Sequence, residues 1–143
     1  MSTPTAARSP LDLLGEEALL RAFESDGFDP SVFHHPQHVR VVWAYLGRHP
    51  VLDVLARFAA GLRRIATAAG KPGLYHETIT WAYVLLVAER RAGAAGGDWA
   101  AFASGNPDLL AWRPSLLETR YYRPETLWSD RARRLFVMPD GGV

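Results

Sequence analysis

The sequence predicts an all-α fold, a compact single-domain bundle of four main helices followed by short C-terminal helices. Apolar residues recur at helical spacing between breaks rich in glycine and proline, and no pair of segments alternates with a period of two. With 143 residues and 48% hydrophobic residues, the chain is long enough to bury a core within one domain. We predict a disordered tail at residues 1–8 and a single helical domain at residues 9–143.

Proline after a capping residue marks where the first helices should begin. Residues 9–10 (Ser-Pro) and 35–36 (His-Pro) place proline at the first helical position, where its missing N–H is not needed. Breaks near residues 27, 49 and 70 end the first three helices, and the fourth should run from about Leu74 to about Ala92. The middle of the fourth helix is almost entirely apolar, which predicts that it is the central helix.

The last third of the chain should contain shorter helices, around residues 98–104, 108–119 and 124–134. Pro114 is expected to bend or divide the second of them. Residues 135–140 are apolar enough to dock back onto the body of the protein.

The composition excludes several classes of function. The chain has no cysteine, which excludes iron–sulfur clusters, cysteine zinc sites and thiol nucleophiles. A formal net charge of +1 does not provide the basic field that nucleic-acid binding needs, and the longest apolar run, residues 81–88, is too short to span a bilayer. The N-terminus lacks the pattern of a signal peptide. We therefore expect a cytoplasmic protein without a nucleic-acid or membrane partner, and leave open whether it is a homodimer.

Four of the five histidines lie in two short segments, residues 33–39 and 74–80, at or near the starts of predicted apolar helices. His35 and His38 are three residues apart, so a helix would place both on one edge. His76, at the head of the central helix, would supply a third imidazole. Three nitrogen ligands with an open position are typical of a catalytic zinc site and also suit iron, copper or nickel. The sequence therefore predicts a divalent metal ion held by His35, His38 and His76.

Other polar residues lie beside these histidines. Glu77 is predicted to move a proton as a general base, and His76 with Glu77 would form an acid/base pair if no metal were bound. Tyr75 and Thr80 are predicted to orient the ligand, because Thr80 follows His76 by one helical turn.

A second polar cluster follows in the C-terminal third, at residues 120–123 (Arg-Tyr-Tyr-Arg). Arginine binds a carboxylate or phosphate through two parallel hydrogen bonds. Arg120 and Tyr122 are therefore predicted to close over an anionic substrate. The alternative is helix packing with exposed arginines.

Each histidine also has a structural interpretation. His35 would cap its helix, His38 would donate to a carbonyl, and His76 would satisfy a backbone group in the first turn. Glu77 is favoured there by the helix dipole alone, and Thr80 would bond back to the backbone. Under this alternative the protein is a non-catalytic interaction or regulatory module.

The two histidine segments also carry a resemblance. The pattern aromatic-x-His-x-x-His-aliphatic at residues 33–39 and Gly-x-Tyr-His-Glu-Thr-Ile-Thr at residues 73–80 resembles a family of small uncharacterised bacterial proteins, as does the stretch 129–140. The resemblance implies that His35, His38, His76 and Glu77 are signature positions and that His34 is not. It implies no particular activity.

Taken together, these observations predict a small-molecule-binding helical protein with a His/Glu pocket. As an enzyme it would be a metal-dependent hydrolase or lyase, performing hydrolysis, elimination or proton transfer on a small-molecule substrate.

Overall fold

The computed structural model describes residues 9–141, and within this range it confirms the all-α fold. Strand pairing in these residues is limited to one isolated bridge between Trp112 and Ser115. The tail predicted at residues 1–8 lies outside the described residues, as do residues 142–143. The helices are α1 (Glu16–Glu24), α2 (His35–Leu46), α3 (Val51–Ala68), α4 (Glu77–Ala92), α5 (Trp99–Gly105), α6 (Pro107–Leu110), α7 (Pro124–Leu127) and α8 (Asp130–Arg134).

The first predicted helix is divided at Gly15. A 3-10 turn at Pro10–Leu13, capped by Ser9, precedes α1. The guanidinium of Arg40, on α2, donates to the carbonyl of Leu14 at 2.7 Å. Because α2 supplies this donor, the chain leaves the helical path at the glycine without stranding that carbonyl.

The fourth helix begins three residues later than the sequence predicts. The turn at Pro72–Leu74 is a separate 3-10 segment, and His76 is the extended N-cap of α4, with φ −132° and ψ 110°. The C-terminal third is likewise divided more finely than predicted. Between α6 and α7 the chain makes a π-helical turn at Leu117–Tyr121 after the break at Pro114.

The central position of α4 agrees with its apolar middle. This helix packs against α2, α3 and α8, and Val84 and Val87 are fully buried. Arg90 pairs with Asp108 through two hydrogen bonds of 2.8 and 3.0 Å, which tie the end of α4 to α6. α4 is therefore the central helix of the bundle, against which α2, α3 and α8 pack.

The first helix approaches α3 at a glycine. The ring of Phe23, on α1, is fully buried against Gly61, where an added Cβ would come within 2.3 Å of that ring. Phe23 also stacks on Phe58 of α3, with ring centroids 5.6 Å apart. The position of Phe58 thus depends on α1, a helix with no residue in the cavity wall described below.

The C-terminal segment docks on α4, as its apolar composition predicts. The buried hydroxyl of Thr78 donates to the carbonyl of Leu135 at 2.9 Å and accepts from the N–H of Val137 at 3.1 Å. Phe136 stacks on Trp81 at 5.3 Å. Among the described residues, none of the helices combines the length and the apolar character that crossing a membrane requires.

Candidate functional site

A cavity of about 640 Å³ lies between α2, α3, the start of α4 and the C-terminal segments. Its wall is mainly aliphatic and aromatic, as expected of a small-molecule pocket. All three predicted metal ligands, His35, His38 and His76, line it. The aliphatic part of the wall comes from three helices and includes Val39, Val42, Leu62, Ile65 and Ile79.

His35 is the first residue of α2, and His34 before it takes the extended capping position. The Nε2–H of His35 donates to the carbonyl of Leu109 at 2.8 Å. The imidazole stacks on Trp112 at 4.7 Å and meets Tyr83 edge-on at 4.6 Å. Burial lowers the pKa of His35 to about 4, although the Leu109 carbonyl opposes the shift. At neutral pH the ring is therefore uncharged, with its proton on Nε2 and an unprotonated Nδ1.

His38 lies one turn further along α2. Its ring packs on Phe33, with centroids 4.1 Å apart, and approaches Phe58 at 6.2 Å. Burial lowers the pKa of His38 to about 3, and the neighbouring His35 contributes in the same direction. The two histidines of α2 are thus a pair of neutral imidazoles in the cavity wall.

His76 is held differently, because both of its ring nitrogens are bonded to the protein. Nδ1 accepts from the N–H of Ile79 at 3.1 Å, which caps the first turn of α4. Nε2–H donates to the carbonyl of Leu127 at 2.7 Å. The ring also meets Trp128 edge-on at 5.8 Å, and burial lowers its pKa. His76 therefore joins the start of α4 to the end of α7.

A metal ion would require three of these imidazoles to meet at one point. Within residues 9–141, no three or more His, Cys, Asp or Glu side chains are grouped so that they could hold a metal ion. The hydrogen bonds of His76 use both of its ring nitrogens, and a metal would need one of them. Binding of zinc, iron, copper or nickel by His35, His38 and His76 stays a prediction, and the geometry of His76 does not favour it.

Glu77 does not line the cavity. Its Oε1 accepts from the hydroxyl of Tyr75 at 2.5 Å and from Arg63 of α3 at 2.9 Å, and the same guanidinium lies 4.5 Å from the Tyr75 ring centroid. Glu77 therefore fastens α4 to α3 in this structure, and the general base that the sequence predicts has its carboxylate paired.

Of the two residues predicted to orient a ligand, both line the cavity, and both also have partners within the protein. Thr80 donates to the carbonyl of His76 at 2.8 Å, the backbone bond of the structural alternative. Burial, followed by the bond to Glu77, raises the pKa of Tyr75, so its phenol stays protonated at physiological pH.

Arg120 and Tyr122 lie elsewhere. Arg120 is exposed, and the hydroxyl of buried Tyr122 donates to the carbonyl of Val137 at 2.6 Å, which holds the C-terminal segment. Burial raises the pKa of Tyr122 to about 12. Neither residue lines the cavity, so the structure does not bring this predicted anion site to the histidines.

The C-terminal third contributes four residues to the cavity wall that the sequence did not assign to the histidine pocket: Trp112, Arg113, Trp128 and Arg133. They come from the loop after α6 and from the ends of α7 and α8. The Trp-Arg-Pro run at residues 112–114 was the available signal, because it sets an aromatic and a cationic side chain on a turn. Residues 112–114 are far from the histidines in sequence, so the sequence did not indicate that they line the same cavity.

The fold and the site define a small all-α protein with an apolar cavity lined by four histidines. Comparisons with protein families, with curated proteins and with solved structures return no match for the chain. The resemblance to a family of small bacterial proteins therefore stays a prediction, and a functional proposal has to rest on the chemistry of the cavity.

Proposed function

We propose that the protein is a binding module that holds a small, largely apolar molecule in the cavity between α2, α3 and α4. The observation that carries the proposal is the cavity itself, with a volume of about 640 Å³ and an aliphatic and aromatic wall. Binding pockets for small molecules typically have volumes of about 300–1,000 Å³ and walls of this kind. Each Å² of apolar ligand surface removed from water contributes about 25 cal/mol.

The neutral histidines suit such a ligand. With pKa values of about 4 and 3, His35 and His38 carry no charge at pH 7. An uncharged imidazole adds hydrogen-bonding capacity to an apolar wall without the large cost of burying an ion. The cavity would thus accept an apolar body and still recognise one or two polar atoms on it.

The same features favour binding over acid–base catalysis. A general base works best with a pKa near the operating pH, and the two α2 histidines lie about three units or more below neutrality. Glu77, the other candidate base, is paired with Arg63 and Tyr75. A ligand in the cavity would meet hydrogen-bonding groups rather than a strong base.

A neutral fluorescent probe tests the proposal. N-phenyl-1-naphthylamine brightens in apolar surroundings, and we expect it to bind with a stoichiometry of one per chain. Ala66 on α3 lines the cavity and Ala60 on the same helix is exposed and does not. Ala66→Phe should weaken binding at least about tenfold, equivalent to about 1.4 kcal/mol, because the new ring occupies the cavity.

Ala60→Phe is the matched control and should leave the affinity within about twofold. Equal affinity for both variants, or no binding by the wild-type protein, would overturn the proposal. Circular dichroism of both variants establishes that each retains its helices.

The alternative of a metal-dependent enzyme predicts a different result for the same purified protein. It requires a bound divalent metal in untagged protein and its loss in His38→Ala. The binding-module proposal requires probe affinity to be unchanged by a chelator. Elemental analysis together with a titration in the presence of the chelator separates the two.

A further inference from the structure

We propose that the ligand is a carboxylate with an apolar body, and that Arg113 and Arg133 bind its head group at the cavity mouth. This inference rests on the binding function proposed above and adds the chemical class of the ligand. It rests on the distribution of charge around the cavity and on the partners of the two arginines.

The charged residues of the cavity wall all have one sign. Among the described residues that line it, Arg113 and Arg133 are the formally charged ones, and no aspartate or glutamate is present. The four lining histidines add no acidic group. An anion entering this cavity therefore meets attraction at the mouth and no carboxylate inside.

Neither arginine is neutralised by the protein. Arg113 is exposed on the loop after α6, and within residues 9–141 it forms no ion pair or hydrogen bond. By contrast, Arg90 is held by two hydrogen bonds to Asp108, and Arg63 pairs with Glu77. The guanidinium of Arg113 is thus available for an external partner.

Arg133, on α8, makes only weak contacts. Its NH1 lies 3.5 Å from the carbonyl of Gly73, and its guanidinium is 5.9 Å from the ring of Trp128. The positive charge of Arg133 acts on His76 in the cavity wall. Burial is the main cause that lowers the pKa of His76, and Arg133 lowers it further. The same field stabilises a negative charge placed near the mouth.

The acidic residue Glu118 lies beside this region. Glu118 lines an adjoining depression together with Arg113, Trp112 and Trp128. Its carboxylate is used locally, since Oε1 accepts from the N–H of Ser115 at 2.9 Å, and no salt bridge joins it to Arg113. Glu118 therefore leaves the arginine donors available.

Two tryptophans beside the arginines also favour an anion with an apolar body. Trp112 and Trp128 lie beside the arginines in the cavity wall, so an apolar chain passing the mouth would contact aromatic surface while its carboxylate meets guanidinium groups. Guanidinium groups bind carboxylates through two parallel, charge-assisted hydrogen bonds. A neutral apolar molecule would leave these donors unused.

Decanoate and 1-decanol are matched probes, because they share an alkyl chain and differ in head-group charge. We expect both to displace N-phenyl-1-naphthylamine from the wild-type protein. In the double variant Arg113→Gln/Arg133→Gln, the affinity for decanoate should fall about tenfold, and that for 1-decanol should stay within twofold. Raising NaCl from about 0.05 to about 0.5 M should weaken decanoate binding alone, because salt screens exposed charges.

Arg134→Gln is the control variant. Arg134 is an exposed arginine on the same helix as Arg133 that does not line the cavity, so this change should leave decanoate binding unaltered. A decanoate affinity that is unchanged in the double variant, or that falls only in Arg134→Gln, would overturn the proposal. If 1-decanol binds in a manner sensitive to Ala66→Phe while the arginines have no effect, the charge inference fails and the binding function stands. If neither probe binds, both fail.

Discussion

The starts of α2 and α4 are similar in sequence and different in structure. Each places histidine at the head of an apolar helix. In α2 the capping position is occupied by His34, so His35 and His38 fall within the helix and line the cavity with neutral rings. In α4 the capping position is occupied by His76 itself, and both of its nitrogens are bonded to the protein.

This difference shows that the position of a helix boundary determines which ring nitrogens of a histidine remain available to other partners. An N-cap side chain can accept from a backbone N–H two or three residues ahead, and His76 commits its Nδ1 to the helix in this way. Its proton then lies on Nε2 and needs an acceptor, which Leu127 provides. A histidine that comes after the cap keeps a nitrogen for other partners.

The largest expected effect is the pH dependence of the α2 pair. The pKa values of His35 and His38 are about 4 and 3 in the folded state, below the ordinary 6.5. The unfolded chain therefore binds more protons as the pH falls below 6.5, and stability is lost towards pH 4. From pH 7 to pH 5 the loss should be about 2 kcal/mol for each histidine, about 4 kcal/mol together.

Urea unfolding at a series of pH values measures this loss. The double variant His35→Phe/His38→Phe should remove most of the dependence, because neither position can then be protonated. A variant with the same slope as the wild-type protein would show that the histidines of α2 are not the source.

The next effect is the loss of stability in His76→Ala. Removal of the cap costs about 1 kcal/mol, and the buried Leu127 carbonyl left without a donor costs about 1–3 kcal/mol more. We expect a decrease of about 3 kcal/mol in the free energy of unfolding, measured with urea at pH 7.

Asparagine separates the two contributions. It can cap the helix and is too short to reach Leu127, so His76→Asn should recover about 1 kcal/mol. If asparagine is no better than alanine, or if alanine costs less than about 1 kcal/mol, the capping role of His76 is wrong.

A smaller effect is expected for His38, where substitution should mainly weaken probe binding, whereas substitution of His76 should mainly lower stability. His38→Phe enlarges a ring that lines the cavity and already packs on Phe33. We expect the affinity for N-phenyl-1-naphthylamine to fall about tenfold, or about 1.4 kcal/mol. Loss of the hydrogen bond between His38 and the backbone of Phe33 should cost about 1 kcal/mol of stability. If His38→Phe lowers stability as much as His76→Ala and leaves probe binding unchanged, His38 has a structural role like that of His76 and the proposed difference between the two helix starts is wrong.

The smallest expected effect concerns Thr80. Because its hydroxyl donates to the carbonyl of His76, Thr80→Val should cost about 1 kcal/mol of stability. The exposed Thr67 of α3 serves as a control, since Thr67→Val should change stability by less than about 0.5 kcal/mol. Probe affinity should stay within twofold in both variants. A tenfold loss in Thr80→Val would instead support the ligand-orienting role that the sequence predicts.

Local pattern explains why the main helices could be predicted. The order of the four helices follows from apolar spacing and from proline and glycine breaks, which are properties of neighbouring residues. The errors lie at boundaries that distant groups determine. At the break before Gly15 the carbonyl of Leu14 accepts from Arg40 of α2, and the short helix α6 is tied to α4 by the pair Arg90–Asp108.

The site was less predictable, because its chemistry depends on partners far along the chain. The tautomers of His35 and His76 are set by the carbonyls of Leu109 and Leu127, which lie 74 and 51 residues away. Glu77 follows His76 directly, yet a guanidinium on α3 takes its carboxylate. Spacing indicates which residues share a helix edge and does not reveal which nitrogen or oxygen is already bonded.

The contact between Phe23 and Gly61 has a consequence for the shape of the cavity. Phe58, whose ring lines the cavity, is backed by Phe23, and Phe23 occupies space that only a glycine at position 61 leaves open. A methyl group at position 61 would displace the Phe23 ring on which Phe58 stacks, and would thereby alter the part of the wall that Phe58 forms. The shape of the cavity thus depends partly on Gly61, a residue that does not line it.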